Sequence, residues 1–377
     1  MKKKLLFIVN VDWFFLSHRM PIAEQAIKED YEVHLLCKIT DHEAQLEYAG
    51  ITVHDFSFSR SRLNPISETI TFLKLYLKIL EIKPDIVHLV TIKPVLYGGI
   101  CARLASVHGV VSAISGLGYV FSDSNSVRKR VLKFFALHLY KLAMKHRNQR
   151  VIFQNSADKT ALIRYGGVDE KKAVLIHGSG VNLNTFRVEP EKDGIPVVLM
   201  ASRLLKNKGV VEFVEAAKIV KSRGVKAEFR LAGGLDTDNP ESVEEMKLKL
   251  WQSEDTVHIM GQRSDMENLF AQAHVVVLPS YYGEGLPKVL AEAAASGRAI
   301  ITTNMPGCRD AIIPDITGIL VAPKDIIELA EAMQKLILDK QLRLMMGKNA
   351  RDLAEKRFCI SKVISTHIKV YDRLIEK

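Results

Sequence analysis

No run of about eighteen apolar residues occurs anywhere in the 377-residue sequence, so it offers no helix able to span a bilayer. Cysteine is scarce. Cys37, Cys101, Cys308 and Cys359 stand far apart, with no metal-ligand or disulfide-framework spacing, and a reduced, cytoplasmic protein is the natural expectation. Low-complexity segments are absent, and the only internal similarity is a strand–helix rhythm shared by the two halves. Residues 124–157 contain no acid at all. The start, Met1-Lys2-Lys3-Lys4-Leu5-Leu6-Phe7-Ile8-Val9, imitates a secretion signal. Asn10 and Asp12 cut its apolar core short, and no small-residue cleavage site follows promptly, so it reads as a first strand.

What is present is a globular composition, 47% hydrophobic and 25% charged, long enough for two or three domains. Charge is uneven. Residues 1–180 hold 25 Lys/Arg against 16 Asp/Glu, while the remainder holds 28 against 27. Such an excess attracts nucleic acid, anionic lipid or phosphorylated substrates; a basic isoelectric point with no partner is the other reading. Within the acid-free segment, Arg128, Lys129, Arg130, Lys133, Lys141 and Lys145 alternate with Val131, Leu132, Phe134, Phe135, Tyr140 and Leu142. This pattern predicts a basic amphipathic helix. It can lie on an anionic bilayer, pack its apolar face on a sheet, or do both.

Strands are predicted at residues 5–9, 31–38, 51–56, 85–90, 110–114, 151–154 and 173–176, with helices over 17–28, 65–82, 95–106 and 156–165. A second series has strands at 196–201, 228–232, 257–260, 275–278, 299–303 and 318–321. Its helices end near 222, start at Pro287, and fill 325–339, 341–357 and 361–377. The alternation is that of an α/β protein with two Rossmann-like domains facing a central cleft. A charged linker at 189–194 puts the boundary near it. The divisions are 1–185, 186–360 and a final helix, 361–377.

The chain is organised around residues 275–297. A buried strand, Val275-Val276-Val277-Leu278, is followed by a turn, Pro279 to Gly283, and by Glu284-Gly285-Leu286-Pro287 leading into a helix through Glu292. Pro287 suits a first helical turn. Glu284 therefore falls on a loop at the carboxyl end of a strand, beside a helix start that welcomes anions. Glu292 lies two turns further on. Two carboxylates so placed can accept hydrogen bonds from two sets of hydroxyls, which is what a sugar nucleotide offers on its sugar and its ribose. A pair of solvated helix-start acids is the bland alternative.

With its surroundings, LPSYYGEGLPKVLAEAAASGRAIITTN, this pair resembles the Glu-x7-Glu motif of retaining glycosyltransferases of the GT-B fold, family 4. The resemblance extends over essentially the whole chain. It implies that Glu284 lies near the donor sugar, with Gly285 and Leu286 beside it, and that Glu292 holds the ribose. Arg203 and Lys208 match the family's basic pair on the donor diphosphate; Arg offers phosphate a planar fork and Lys a mobile point charge. Gly233 lies in the glycine loop lining the nucleotide pocket, and Arg263 in the segment near the base. No divalent metal or other cofactor is implied, and Asp236-x-Asp238 reads as a turn rather than a metal motif.

In the first half the expected acceptor contacts are His18 and Arg60, then Lys93, Ser115 and Gly116. His18 and Arg19 are expected in a first helical turn, and Arg60 and Arg62 in a basic loop. Lys93, at a strand's carboxyl end, is expected to meet the acceptor's diphosphate. Two features depart from the family. Residues 10–16 are aromatic where many relatives carry glycines, and no histidine stands near Ser115 where many relatives place one.

Within the family the chain looks most like enzymes that extend sugars on undecaprenyl diphosphate for O-antigen or protein-glycan assembly. This implies a UDP-sugar donor, with α-1,3 transfer of N-acetylgalactosamine as the specific expectation. It also implies a polyprenyl-diphosphate-linked sugar acceptor, an anionic membrane surface on the inner face of the plasma membrane, and no nucleic acid. Two rival readings stand beside it: a sugar-nucleotide epimerase of the same fold, and a non-enzymatic binder of anionic membrane or nucleic acid.

Overall fold

The computed structural model describes residues 2–58, 65–118, 127–237 and 239–376, with only the backbone of 127–129, 131 and 132. Arg60, Arg62, residues 119–121 and Asp238 lie outside the described residues, as do the side chains of Arg128, Lys129, Val131 and Leu132. Packing divides the chain into two units: Met1–Ser179 with Ser361–Lys377, and Gly180–Ile360.

The first unit is built on seven parallel strands: β1 (Lys3–Val11), β2 (Tyr31–Lys38), β3 (Thr52–Asp55), β4 (Ile86–Val90), β5 (Gly109–Ile114), β6 (Gln149–Phe153) and β7 (Ala173–Leu175). Their order in the sheet is β3-β2-β1-β4-β5-β6-β7. Leu5 pairs with Val33 on one side of β1 and with Ile86 on the other. Continuous apolar runs suit strands covered on both faces, and Leu5 to Val9 are all fully buried. The chain reverses its direction of travel across the sheet between β1 and β4, which makes their carboxyl ends a switch point, where open parallel sheets bind ligands.

Three local features differ from expectation. A helix, Asp12–His18, starts directly after β1, where a loop was expected. Asp12 is buried, and its carboxylate accepts the amide N–H of Trp13 and of Thr40, each at 2.7 Å, and the Thr40 hydroxyl. An acid so satisfied in a first turn favours helix. His18 consequently ends this helix rather than beginning one, and Arg19 separates it from the next, Met20–Lys28. The helix expected over 95–106 opens as a π-turn, Pro94–Gly98, before Gly99–Leu104. Here the backbone is packed closely: a Cβ on Gly98 would lie 2.4 Å from the Leu89 side chain. Short helices at Glu43–Tyr48, Glu245–Ser253 and Met266–Gln272 add to the expected set.

The final helix, Ile360–Ile375, buries Val363, His367, Val370, Tyr371 and Leu374, one stripe of its surface, in the first unit's core. The Tyr371 hydroxyl meets His88 Nδ1 of β4 at 2.7 Å, and Asn148 Nδ2 donates to the Leu374 carbonyl at 2.7 Å.

The second unit contains β8 (Val197–Ala201), β9 (Glu228–Ala232), β10 (His258–Gly261), β11 (Val275–Leu278), β12 (Ala299–Thr303) and β13 (Gly318–Val321), all parallel, in the order β10-β9-β8-β11-β12-β13. Its switch point lies between β8 and β11. The segment 189–194 is no free linker. The Glu191 carboxylate takes both Arg343 Nε and Nη2, at 2.9 and 2.8 Å, with both side chains almost wholly buried. The Glu189 carbonyl accepts from Arg298 at 2.7 Å. Val181 pairs with Cys359, so residues 180–185 join this unit as well.

Candidate active site

Two loops converge at the second switch point. After β8 the chain forms a tight turn, Lys206–Lys208, and enters the helix Val210–Ser222 through Gly209 at φ +82°. After β11 it runs through Pro279 and Ser280 to Glu284, and Pro287 caps the helix Lys288–Ala295. The loops are stitched together. The Tyr281 amide donates to the Asn207 carbonyl at 3.1 Å, and Ser280 Oγ lies 3.2 Å from the same oxygen. A Cβ on Gly209 would lie 2.3 Å from the Pro279 carbonyl oxygen, so only glycine permits this approach.

The stitching brings Lys208 and Glu284 into contact. Lys208 Nζ pairs with Glu284 Oε2, and the Ser280 hydroxyl donates to Glu284 Oε1 at 2.6 Å. Both charged side chains are largely shielded, at 15% and 13% exposure. Low local dielectric strengthens such a pair, so the carboxylate is aimed before any ligand arrives. The loop is braced from below. Thr303 Oγ1 donates to the Ser280 carbonyl, and Gly307, at φ +82°, lies so close that a Cβ would stand 1.8 Å from the Gly285 carbonyl oxygen.

Arg203 lies at the end of β8, where its Nη1 meets Asp236 Oδ2 at 2.8 Å with the guanidinium half exposed. Asp236 is thus an arginine partner. Among the described residues no three His, Cys, Asp or Glu side chains gather into a metal-binding group. Gly233 presses on the same strand end, since its Cβ would fall 1.8 Å from the Ser202 carbonyl oxygen. Arg263 is engaged in a bidentate pair with Asp265, at 2.8 and 2.7 Å, which raises its already high pKa. Leu286 is buried in the second unit's core.

Glu292 is buried, with Lys288 Nζ 3.4 Å away. Burial pushes its carboxyl above the ordinary 4.5, and Lys288 pulls the other way. Folding therefore retains this proton to a higher pH than the unfolded chain does, so stability is lost as pH rises from about 4.5 through the folded value. Glu292→Gln is expected to melt higher than wild type at about pH 7 and to lose that advantage near about pH 4. Differential scanning calorimetry at both pH values checks this. An advantage unchanged between them would contradict the assignment of burial as the cause.

In the first unit, the His18 ring stacks on Phe14 at 4.2 Å, and its Nδ1 lies 3.2 Å from the Phe14 carbonyl oxygen. Its neighbour Arg19, expected in a first helical turn, lies between two helices and is buried. Burial pulls its guanidinium down to about 10. Lys93 follows β4 and pairs with Glu68 at 2.7 Å; the Tyr97 hydroxyl donates to the other Glu68 oxygen at 2.6 Å. Ser115 and Gly116, the latter at φ +109°, follow β5. Sequence reasoning missed Ser280, Tyr281 and Lys324. Lys324 Nζ sits 4.4 Å above the Tyr281 ring, a cation–π contact made from the loop after β13.

Two Rossmann-like units on parallel sheets of seven and six strands are the fold of the GT-B glycosyltransferases. Residues 182–353 match the family model "Glycosyl transferases group 1", and residues 4–155 match "Glycosyl transferase 4-like". The chain belongs to this family and is a glycosyltransferase. That excludes the non-enzymatic binder and the epimerase.

Among its relatives is the N,N'-diacetylbacillosaminyl-diphospho-undecaprenol alpha-1,3-N-acetylgalactosaminyltransferase of Campylobacter jejuni. The two are 32% identical, over 96% of this chain and 98% of the relative. The UDP-Gal:alpha-D-GlcNAc-diphosphoundecaprenol alpha-1,3-galactosyltransferase of Escherichia coli is 27% identical, over 93% and 91%. Anabaena HepE, solved with UDP and glucose, shares the fold with a TM-score of 0.76 at 19% identity, over 99% of this chain and 100% of HepE.

Proposed function

We propose that this glycosyltransferase transfers a sugar with retention from a UDP-sugar to a sugar carried on undecaprenyl diphosphate, in O-antigen or surface-polysaccharide assembly. The sugar is N-acetylgalactosamine or another hexose or N-acetylhexosamine, and the α-1,3-N-acetylgalactosaminyl relative favours the first. The observation that carries the reading is the Lys208–Glu284 pair at the switch point, with Arg203 on the adjoining strand end. The acceptor's prenyl chain confines the work to a membrane, so the enzyme acts as a peripheral protein on its cytoplasmic face. Among the described residues no helix is long and apolar enough to cross one.

In this reading the donor diphosphate takes over Lys208 and Arg203, and Glu284 turns its freed oxygen to the sugar hydroxyls. The bond from the anomeric carbon to the diphosphate oxygen breaks. The acceptor oxygen bonds to the same face of that carbon, and its proton passes to the departing phosphate. Charge grows on that phosphate in the transition state, where Lys208 and Arg203 stabilise it. Glu292 accepts the ribose hydroxyls, and Lys93 meets the acceptor's diphosphate.

Because two cations carry the leaving-group charge, transfer is expected to persist in excess EDTA. The test incubates UDP-N-acetylgalactosamine, other UDP-sugars and GDP-sugars with polyprenyl-diphosphate-linked sugars, and reads the anomeric configuration of the product by NMR. A β-linked product from an α-donor, loss of transfer in EDTA, or no transfer from any UDP-sugar would each remove the corresponding part of the proposal.

A further inference from the structure

The helix Pro65–Ile82 carries Leu75, Ile79 and Ile82 into the first unit's core. Its opposite side is also apolar. Ile66, Ile70, Leu73, Leu77 and Leu80 follow one another at spacings of four and three residues, so they form one continuous stripe. All five are exposed, Ile66 at 72% and Leu77 at 61%. A helix apolar on both faces is normally covered on both.

The stripe does not stand alone. The helix Gly99–Leu104 lies beside this one, with Cys101 Sγ 3.6 Å from the Phe72 carbonyl. On its other side Gly99 packs against Ala143, and Arg103 reaches the Leu142 carbonyl of the helix Val127–Ala143. All three helices cover the same core. Leu104, Phe134, Phe135 and Leu142 are also exposed on these neighbouring helices, so exposed apolar side chains occur on all three packed elements. Scattered exposed apolar residues need no explanation, but a contiguous patch marks an interaction surface.

Charge selects the partner. Arg130, Lys133, Lys141 and Lys145 flank the aromatic part of the layer, and residues 124–157 contain no acid. On the helix Pro65–Ile82, Lys74 is exposed and Glu81 is already paired with Lys78 at 2.9 Å. Two copies of this face meeting would oppose like charges. An anionic phospholipid surface instead satisfies both features: acyl chains accept the apolar stripe, and headgroups accept the cations. The helix also reaches Lys93, to which the proposed reaction gives the acceptor's diphosphate, because Glu68, between Ile66 and Ile70, holds it.

We infer that the outer face of these three helices is the surface by which the enzyme docks on an anionic bilayer, with the Ile66–Leu80 stripe inserted at the headgroup boundary. This deepens the reading that the acceptor is lipid-linked and rests on it for its purpose. The full chain would be co-sedimented with phosphatidylglycerol/phosphatidylethanolamine vesicles and with phosphatidylcholine vesicles. Wild type is expected to bind the anionic vesicles, less so in high salt. Leu73→Gln/Leu77→Gln, and separately Phe134→Ser/Phe135→Ser, should lower that binding at least tenfold while leaving the melting temperature near wild type.

Transfer to a short-chain, water-soluble acceptor should be unchanged in both variants, and transfer to a full-length acceptor in vesicles should fall at least tenfold. Failure of wild type to bind anionic vesicles would overturn the inference, as would equal binding by the variants. So would a shift of the variants from dimer to monomer, which would make the stripe a self-association seam. If wild type transfers to neither acceptor, the proposed reaction fails, and the vesicle measurement still decides the surface by itself.

Discussion

Glu284→Gln is expected to lower the transfer rate at least about a hundredfold while UDP binding is kept or tightened. The substitution preserves an oxygen for the Ser280 hydroxyl, which donates at 2.6 Å. It removes the charge opposite Lys208, whose side chain is only 15% exposed. An ammonium so shielded is costly to leave unpaired, by roughly 1–3 kcal/mol. The variant should therefore melt several degrees lower, by the usual ~2–4 °C per kcal/mol for a domain of this size. A diphosphate supplies the missing anion, so UDP should raise the variant's melting temperature more than it raises that of wild type. This split between binding and turnover separates a role in aiming the sugar from a merely structural one. Transfer near the wild-type rate, or equal loss of UDP binding and turnover, would show that Glu284 is not the group that meets the sugar.

Gly209→Ala should part the two loops that bring Lys208 and Glu284 together. Its backbone is left-handed, φ +82°, which costs any L side chain about 1–2 kcal/mol. The added Cβ would also meet the Pro279 carbonyl oxygen at 2.3 Å and the Pro279 ring at 2.6 Å. The clash is with backbone and ring, not with a flexible side-chain tip, so the two loops must part. A total near about 3 kcal/mol lowers the melting temperature by roughly 6–12 °C. Separating Lys208 from Glu284 by about 1 Å should cost a further hundredfold in rate. Gly224 provides the control. It has nearly the same φ, +75°, and nothing within 4 Å of its virtual Cβ. Gly224→Ala should show only the backbone cost and full activity. Equal melting temperatures for the two variants would mean that the close approach at Pro279 contributes nothing.

The strands were legible because their signals are local. Runs such as Val275–Leu278 and Ala299–Thr303 are rich in apolar and β-branched residues and end at Pro or at a polar turn, so their bounds could be read directly. Glu284 and Lys208 were legible as types at positions, each following a strand. Their contact was not, because it depends on a glycine that lets two loops touch across 76 residues. The helix Asp12–His18 was missed for a related reason. Its first turn is secured by Thr40, 28 residues away, and no nearby residue signals this. Residues 189–194 looked like a solvated linker because Glu191 finds Arg343 only after 152 residues. Lys324 over Tyr281 belongs to the same class of nonlocal contact.

The closing helix imposes an order of events on biosynthesis. Tyr371 and Leu374 fill space against β4 and the stretch before β6 in the amino-terminal unit, yet the ribosome makes them only after the whole second unit. The whole of Gly180–Ile360 is translated in between, a delay of roughly ten to forty seconds at ~5–20 residues per second. During that interval the nascent amino-terminal half holds an uncovered apolar trough around His88, open to chaperones and proteases. A stop codon ahead of Tyr371 would thus injure the part of the enzyme synthesised first.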